Sequence, residues 1–300
     1  MLDIRRILCP IDFSDASRHA LDHAVAFAGW FGGRITALHV FSPVFLPNPP
    51  ILFAELPAGP VPTDADRQYL EDRLREWLAP ANAAGCQTDV VLDEGTPAAR
   101  ILERARSIPA DLIVMGTHGR GGFERLVLGS VTEKVLRRAN CLVLTVPPPA
   151  AARSTLPFKR LLCPVDFSEP SISALEYALS IAQESDGRLT VLHVFDWPTH
   201  DELSLEGVLD VPAFRRQRED EARHRLATLI PEDARNWCAP EPTLRHGKPY
   251  REILAVAETE HIDLVVMGVH GRNALDVMLF GSNTNQVVRR ASCPVLTLKK

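Results

Sequence analysis

The 300-residue chain carries one set of motifs twice, and the period between the copies is the length of a whole domain. Gly116-Thr117-His118-Gly119, nine residues, then Gly129-Ser130 returns as Gly268-Val269-His270-Gly271, nine residues, then Gly281-Ser282. Cys9-Pro10-Ile11-Asp12-Phe13-Ser14 returns as Cys163-Pro164-Val165-Asp166-Phe167-Ser168, and Leu38-His39-Val40-Phe41 as Leu192-His193-Val194-Phe195. The offset is 154 residues early in each half and 152 later, so the second half lacks two residues between its second strand and its Gly-x-Pro turn. Such a period marks a copied domain and not a solenoid repeat. The copies place one domain at residues 1–148 and the other at 158–300. Residues 149–157, proline and small side chains without apolar periodicity, read as a short semi-rigid linker.

Each half alternates strand and helix. In the first, residues 6–9 form a short apolar strand, and Ser14 or Asp15 caps a helix whose Ala20, Leu21, Ala24, Val25, Phe27 and Ala28 recur at helical spacing up to Gly32-Gly33. A strand over 34–41 leads into residues 42–62, whose seven prolines exclude regular structure and predict a long exposed loop. A charged helix over 64–84 follows, with Tyr69, Leu70, Leu74, Trp77 and Leu78 assigned to its inward face. Strands at 88–92, 111–115 and 141–146 and helices from Thr96-Pro97 and over 130–138 complete the half, and the second half repeats the pattern over 159–298. This alternation predicts an α/β fold, a doubly wound parallel sheet covered on both faces and joined by right-handed crossovers. Ligands of such sheets bind outside the strand C-termini, where strand order reverses. The Pro-[Ile/Val]-Asp turn, the His-Val-Phe strand and the glycine loop all end strands there, so three motifs address one crevice in each half.

Composition fits two compact domains: 46% hydrophobic and 24% charged residues leave no reason to expect disorder. A net charge of -5 speaks against nucleic acid as the main partner, and no apolar stretch reaches membrane-spanning length. The beginning of the chain lacks a signal-peptide layout, which points to the cytoplasm. The six cysteines fall in three matching pairs without zinc spacing, and free buried thiols are expected.

In the crevice, Asp12 and Asp166 follow directly on a strand and are assigned to a ribose or base, since Ser14 and Ser168 are better placed to cap the next helix. Val40 and Val194 serve either as wall for a base or as plain core. Phosphates would meet the N–H groups of Gly116, Gly119, Arg120, Gly129, Ser130 and Val131, with hydroxyls from Ser130 and Thr132. The second copy offers Gly268, Gly271, Arg272, Gly281, Ser282, Asn283 and Thr284. His118 and His270 either touch phosphate or face solvent. His39 and His193 read as packed or hydrogen-bonded residues, and His19 and His23, at metal-pair spacing without a third ligand, as surface residues. No Walker lysine, no acidic pair for Mg²⁺ and no G-x-G-x-x-G are present, so no catalytic residue and no metal ligand are assigned. Binding without efficient turnover fits best. A nucleotide hydrolase or nucleotidyl-transfer enzyme, and an interaction module with vestigial loops, are the competing readings.

Together these motifs resemble the universal stress protein family in its tandem form: Pro10-Ile11-Asp12 and Pro164-Val165-Asp166, the two Leu-His-Val-Phe strands, and Val114-Met115-Gly116-Thr117-His118-Gly119-Arg120 with Val266-Met267-Gly268-Val269-His270-Gly271-Arg272. Gly129-Ser130-Val131-Thr132 and Gly281-Ser282-Asn283-Thr284 complete the set. The resemblance implies five strands per domain in the order 3-2-1-4-5, an ATP site, with or without Mg²⁺, in each half, and nucleotide-linked stress regulation through an unidentified partner protein. It also implies pairing of the last strands, here within one chain as a pseudo-dimer, with a homodimer of the chain as a further expectation. The second copy departs from the first at Asn273-Ala274-Leu275-Asp276 against Gly121-Gly122-Phe123-Glu124, and at Asn283 against Val131.

Overall fold

The computed structural model describes residues 3–41, 63–118, 128–148, 157–196, 211–269 and 281–299. The first half runs β1 (Arg6–Pro10), α1 (Asp15–Phe31), β2 (Arg34–Phe41), α2 (Asp64–Ala83), β3 (Gln87–Glu94), α3 (Pro97–Ser107), β4 (Leu112–Gly116), α4 (Ser130–Arg138) and β5 (Leu142–Val146). The second runs β6 (Arg160–Pro164), α5 (Glu169–Ser185), β7 (Arg188–Phe195), α6 (Val211–Leu229), β8 (Glu241–His246), α7 (Pro249–Thr259), β9 (Leu264–Gly268), α8 (Ser282–Arg290) and β10 (Val295–Leu298), with a 3-10 turn at Glu232–Asn236 that the sequence pattern did not predict. The proline-rich loop over 42–62 lies outside the described residues.

Local chemistry sets the boundaries. The Ser14 side chain accepts from the Ser17 N–H to start α1, and Gly32 ends it in the left-handed region at φ 62°. Pro97 and Pro249 open α3 and α7, where their missing N–H costs no intrahelical bond. On α2, Leu74 and Leu78 are buried as expected, but Tyr69 is 65% exposed. The inward stripe continues instead to Ala81, one helical turn beyond Leu78.

Each half has the order expected, and the last strands of the two halves pair within the chain, as the resemblance implied. The halves form one ten-stranded sheet, β3-β2-β1-β4-β5-β10-β9-β6-β7-β8. All neighbours are parallel except the central pair, where β5 and β10 run antiparallel. Leu144 faces Leu296 there, two equivalent positions, so a pseudo-twofold axis passes between them. Thr145 Oγ1 donates to the Val295 carbonyl at 3.1 Å and its equivalent Thr297 Oγ1 to the Val143 carbonyl at 3.2 Å. Alternation of side chains splits the core: Ile7 and Cys9 join the layer under α1 and α2, whereas Leu8 joins the layer under α3 and α4. At the opposite ends of the strands, the Asp111 carboxylate accepts from the N–H groups of Arg5 and Arg6, and the buried Asp263 carboxylate likewise from Lys159 and Arg160. Among the described residues no helix is long and apolar enough to cross a membrane.

Replacing Thr145 or Thr297 by valine removes one buried hydroxyl bond across the seam and is expected to cost about 1 kcal/mol each. Urea unfolding of the two variants should give closely matching losses, because the two hydroxyls stand in equivalent places.

Candidate functional site

The crevice lies where β1 has β2 on one side and β4 on the other, the point at which strand order reverses. Just beyond β1 the chain makes a tight turn that repeats in both halves. Asp12 Oδ1 accepts from the Ser14 N–H at 3.1 Å and from the Ser14 hydroxyl, and Asp166 Oδ1 from the Ser168 N–H at 3.0 Å and the Ser168 hydroxyl. The residue between is forced to positive φ, 61° at Phe13 and 64° at Phe167, an unusual place for a bulky side chain. Ring stacking holds it. Phe13 packs on His39 with centroids 4.7 Å apart and Arg73 lies over its ring at 4.2 Å; Phe167 packs on His193 at 4.6 Å under Arg225 at 4.1 Å. The two histidines donate from Nδ1 to the carbonyls of Ile11 and Val165 at 2.6 and 2.7 Å. They are structural residues, as their strand position suggested. The repeated Asp-Phe-Ser block was a visible signal for this turn; the roles of Arg73 and Arg225 had none.

The turn fixes how close the glycine loop can come. A Cβ at Gly116 would lie 3.0 Å from the Ala16 Cβ, and one at Gly268 would lie 2.9 Å from the Pro170 Cβ, so bare backbone is needed where β4 and β9 end against the first turns of α1 and α5. Thr117 N–H donates to the Val146 carbonyl and Gly129 N–H to the Thr117 carbonyl; Val269 and Gly281 repeat both bonds with Leu298 and Val269.

Several expected donors therefore have other work. The N–H groups of Gly129 and Gly281 close the loop internally and are not offered to a ligand. The hydroxyls of Thr132 and Thr284 donate to the carbonyls of Gly116 and Gly268 at 2.9 and 3.0 Å, and both residues are buried. Ile11, Val165, Met115 and Met267 send their side chains into the core, and the N–H groups of Ile11 and Val165 pair with the carbonyls of Leu38 and Leu192. Pro10 and Pro164 end their strands half-buried, and Val40 and Val194 are half-buried against the layer under α3, α4, α7 and α8.

What remains is the first turn of a helix. Gly129 and Gly281 are N-caps without a side-chain bond, and no described residue accepts from the N–H groups of Ser130, Val131 and Thr132 or of Ser282, Asn283 and Thr284. Three N–H groups and the positive end of a helix dipole thus stand at the start of the helix that follows the glycine loop in each half. Glu133, in the first turn of α4, has its charge taken by Arg137 at 2.9 Å and by Arg289 of the other half at 3.7 Å; α8 has the neutral Asn285 at the matching position. His118 Nδ1 lies 2.9 Å from Thr117 Oγ1, so this ring belongs to the loop wall. The expectations for Gly119, Arg120, His270, Gly271 and Arg272 fall outside the described residues, as do the differing positions Glu124 and Asp276.

All six cysteines are free; Cys9, Cys163, Cys238 and Cys293 are buried, whereas Cys86 and Cys141 are only half-buried. Burial, and next the charge of Asp22, pushes the Cys9 thiol up to about 12, and burial also raises Cys163, so the two thiols beside the crevice stay protonated and unreactive.

Alanine at Gly281 would set its Cβ 2.6 Å from the Val269 carbonyl oxygen, against 3.1 Å from the Thr117 carbonyl oxygen for alanine at Gly129. Both variants are expected to lose stability in the range of about 1–3 kcal/mol, Gly281→Ala more than Gly129→Ala, read by chemical unfolding of the full chain.

The comparisons with known proteins agree with this architecture. The sequence model of the universal stress protein family matches residues 3–147 and again 157–299. A universal stress protein of Methanocaldococcus jannaschii is 35% identical over 150 residues, 48% of this chain and 83% of its own. One of Mycobacterium tuberculosis is 26% identical over 275 residues, 89% of this chain and 87% of its own. The crystal structure of a universal stress protein from Archaeoglobus fulgidus superposes with a TM-score of 0.66 at 24% identity, covering 98% of both chains, and so shares the fold from end to end. With two matched domains, a duplicated crevice and a fused pair of sheets, the chain belongs to the universal stress protein family as a tandem of two such domains.

Proposed function

We propose that the chain is an ATP-binding, stress-responsive regulator of the cytoplasm that hydrolyses its nucleotide slowly at most, with one crevice per half addressing one adenine nucleotide. The observation that carries this reading is a pair of helix N-termini, α4 and α8, whose first-turn N–H groups are accepted by no described residue, each in a half whose first strand runs into an aspartate turn. Free first-turn N–H groups suit phosphate oxygens. Asp12 and Asp166 already hold the turn, yet a carboxylate can accept about four hydrogen bonds, so a ribose hydroxyl can share it. The described part of each crevice offers backbone N–H donors suited to phosphate oxygens, which supports the holding of a nucleotide. A regulatory protein partner would then read the loaded state.

The decisive measurement is the identity of the small molecule released when freshly purified full-length protein is denatured. ATP is expected. Release of no nucleotide, together with no thermal shift on adding ATP, overturns the reading. Steady phosphate release well above about one turnover per minute, lost on substitution of Gly129 and Gly281, moves it to a hydrolase.

Asp12→Asn and Asp166→Asn keep an acceptor for the turn but remove the charge. Each is expected to weaken ATP binding at its own domain about ten- to a hundredfold, the worth of a hydrogen bond to a charged group, by isothermal titration calorimetry. Unchanged affinity in both variants would place the nucleotide elsewhere.

A further inference from the structure

Both ends of the segment joining the halves are gripped by one face of α1. His19 Nδ1 donates to the carbonyl of Pro147, just past β5, at 3.1 Å. Phe158, just before β6, is fully buried against His23, Phe27 and Trp30, with ring centroids 5.8, 6.0 and 5.6 Å away. His19 and His23 stand one helical turn apart, their own rings 4.7 Å centre to centre. The second domain has Ser173 and Tyr177 at the matching positions, and Ile4 matches Phe158, so the pair belongs to the joining segment and not to the duplicated fold. Where Phe158 fills the space beside His23, the matching place beside Tyr177 opens into a cavity of about 440 Å³ lined by Asp3, Asp111, Cys141 and Lys299 among others. The expectation of surface histidines is corrected here: His23 is 1% exposed.

The protonation state of His23 follows from its bonds. Nδ1 lies 2.9 Å from the His19 carbonyl oxygen, which can only accept, so Nδ1 carries the ring proton of the neutral form. Nε2 then presents a lone pair, and it is buried without a partner. A second proton there would place a charge beside the Phe158 ring with nothing to receive it.

We propose that His19 and His23 form a proton-operated clasp on the interdomain segment: neutral His23 seats Phe158 on α1, and a proton on Nε2 unseats it and loosens the contact between the halves.

No described carboxylate bonds to the His23 ring. On α1 itself the neighbouring ionisable groups are His19, whose bond goes to Pro147, Arg18, and the surface carboxylate of Asp22, whose charge couples to His19 and Arg18. Beneath α1, Cys9 of β1 is held protonated by burial, and β4 and β5 contribute the apolar Val114, Leu144 and Val146 to the same layer. From the second half, Lys159 sends its ammonium to the Ser185 carbonyl at 2.8 Å and to Asp186. Burial, against the His19 carbonyl bond, lowers the His23 ring from 6.5 to about 4. An unseated ring titrates near the ordinary value, so seating is complete above that pH and weakens as pH falls toward the seated value. Between about pH 7.5 and about pH 5.5 the seated-to-unseated ratio should fall about tenfold.

Two measurements on the full chain test this. In NMR titration, the His23 ring should remain neutral through pH 5.5 while seated; a ring that titrates normally near its unperturbed value with Phe158 still seated overturns the clasp. In hydrogen exchange corrected for its intrinsic pH dependence, peptides containing Phe158 and α1 should lose protection about tenfold from pH 7.5 to 5.5, while those of β6 and β7 do not. His23→Phe, which keeps a ring on Phe158 and cannot titrate, should abolish that loss. Equal loss in wild type and His23→Phe, or no loss in wild type, overturns the proposal.

Discussion

The antiparallel pairing of β5 with β10 is the contact on which the rest of the molecule depends. A parallel sheet buried on both faces leaves two open edges per domain, and an open edge exposes unpaired N–H and C=O groups. Joining the β5 and β10 edges, with Leu144 on Leu296 and a hydroxyl bond on each side, removes one edge from each domain. The same pairing sets α4 beside α8, so that Arg289 of one half reaches Glu133 of the other. A charge in the first turn of α4, which would oppose an anion there, is thereby answered from across the axis. The seam and the crevices are therefore physically connected, although they lie on different elements.

Within each crevice the hard work is done by backbone. Gly116 and Gly268 let the ends of β4 and β9 touch the first turns of α1 and α5, and Gly129 and Gly281 close the loop by donating back to it. The buried threonines lock the same loop from beneath. These residues look like ligand donors in the sequence because a phosphate cradle and a tight loop draw on the same residue types. Their bonds show that they close the loop on itself, and the N–H groups that no described residue accepts belong to the following helix turn.

Much of this was legible from the residues alone, and the limits are as physical as the successes. The strand-helix alternation, the Ser14 cap and the first-turn proline at Pro97 are local, and they place the elements within a residue or two. Tyr69 was misassigned because a helical stripe of apolar residues does not say where the neighbouring strand ends; Ala81 took the buried place. His23 was misassigned for a different reason. Its burial is created by Phe158, a residue 135 positions later in the chain, and no pattern within α1 reveals that. The Phe13 and Phe167 turns were visible as repeated blocks, yet Arg73 and Arg225, which lie over their rings, come from elements far away in the chain.

By itself the sequence determined that there are two copies, that each is a strand-helix alternation, and that each carries a glycine loop and an aspartate at strand ends. Periodicity, capping and spacing are properties of neighbours along the chain, and duplication makes them readable twice. Only the tertiary structure decided which donors the loop consumes and which histidine loses contact with water. Those outcomes depend on what packs from elsewhere, because a donor already bonded within the loop is largely taken from a ligand and burial is a property of the assembled surfaces.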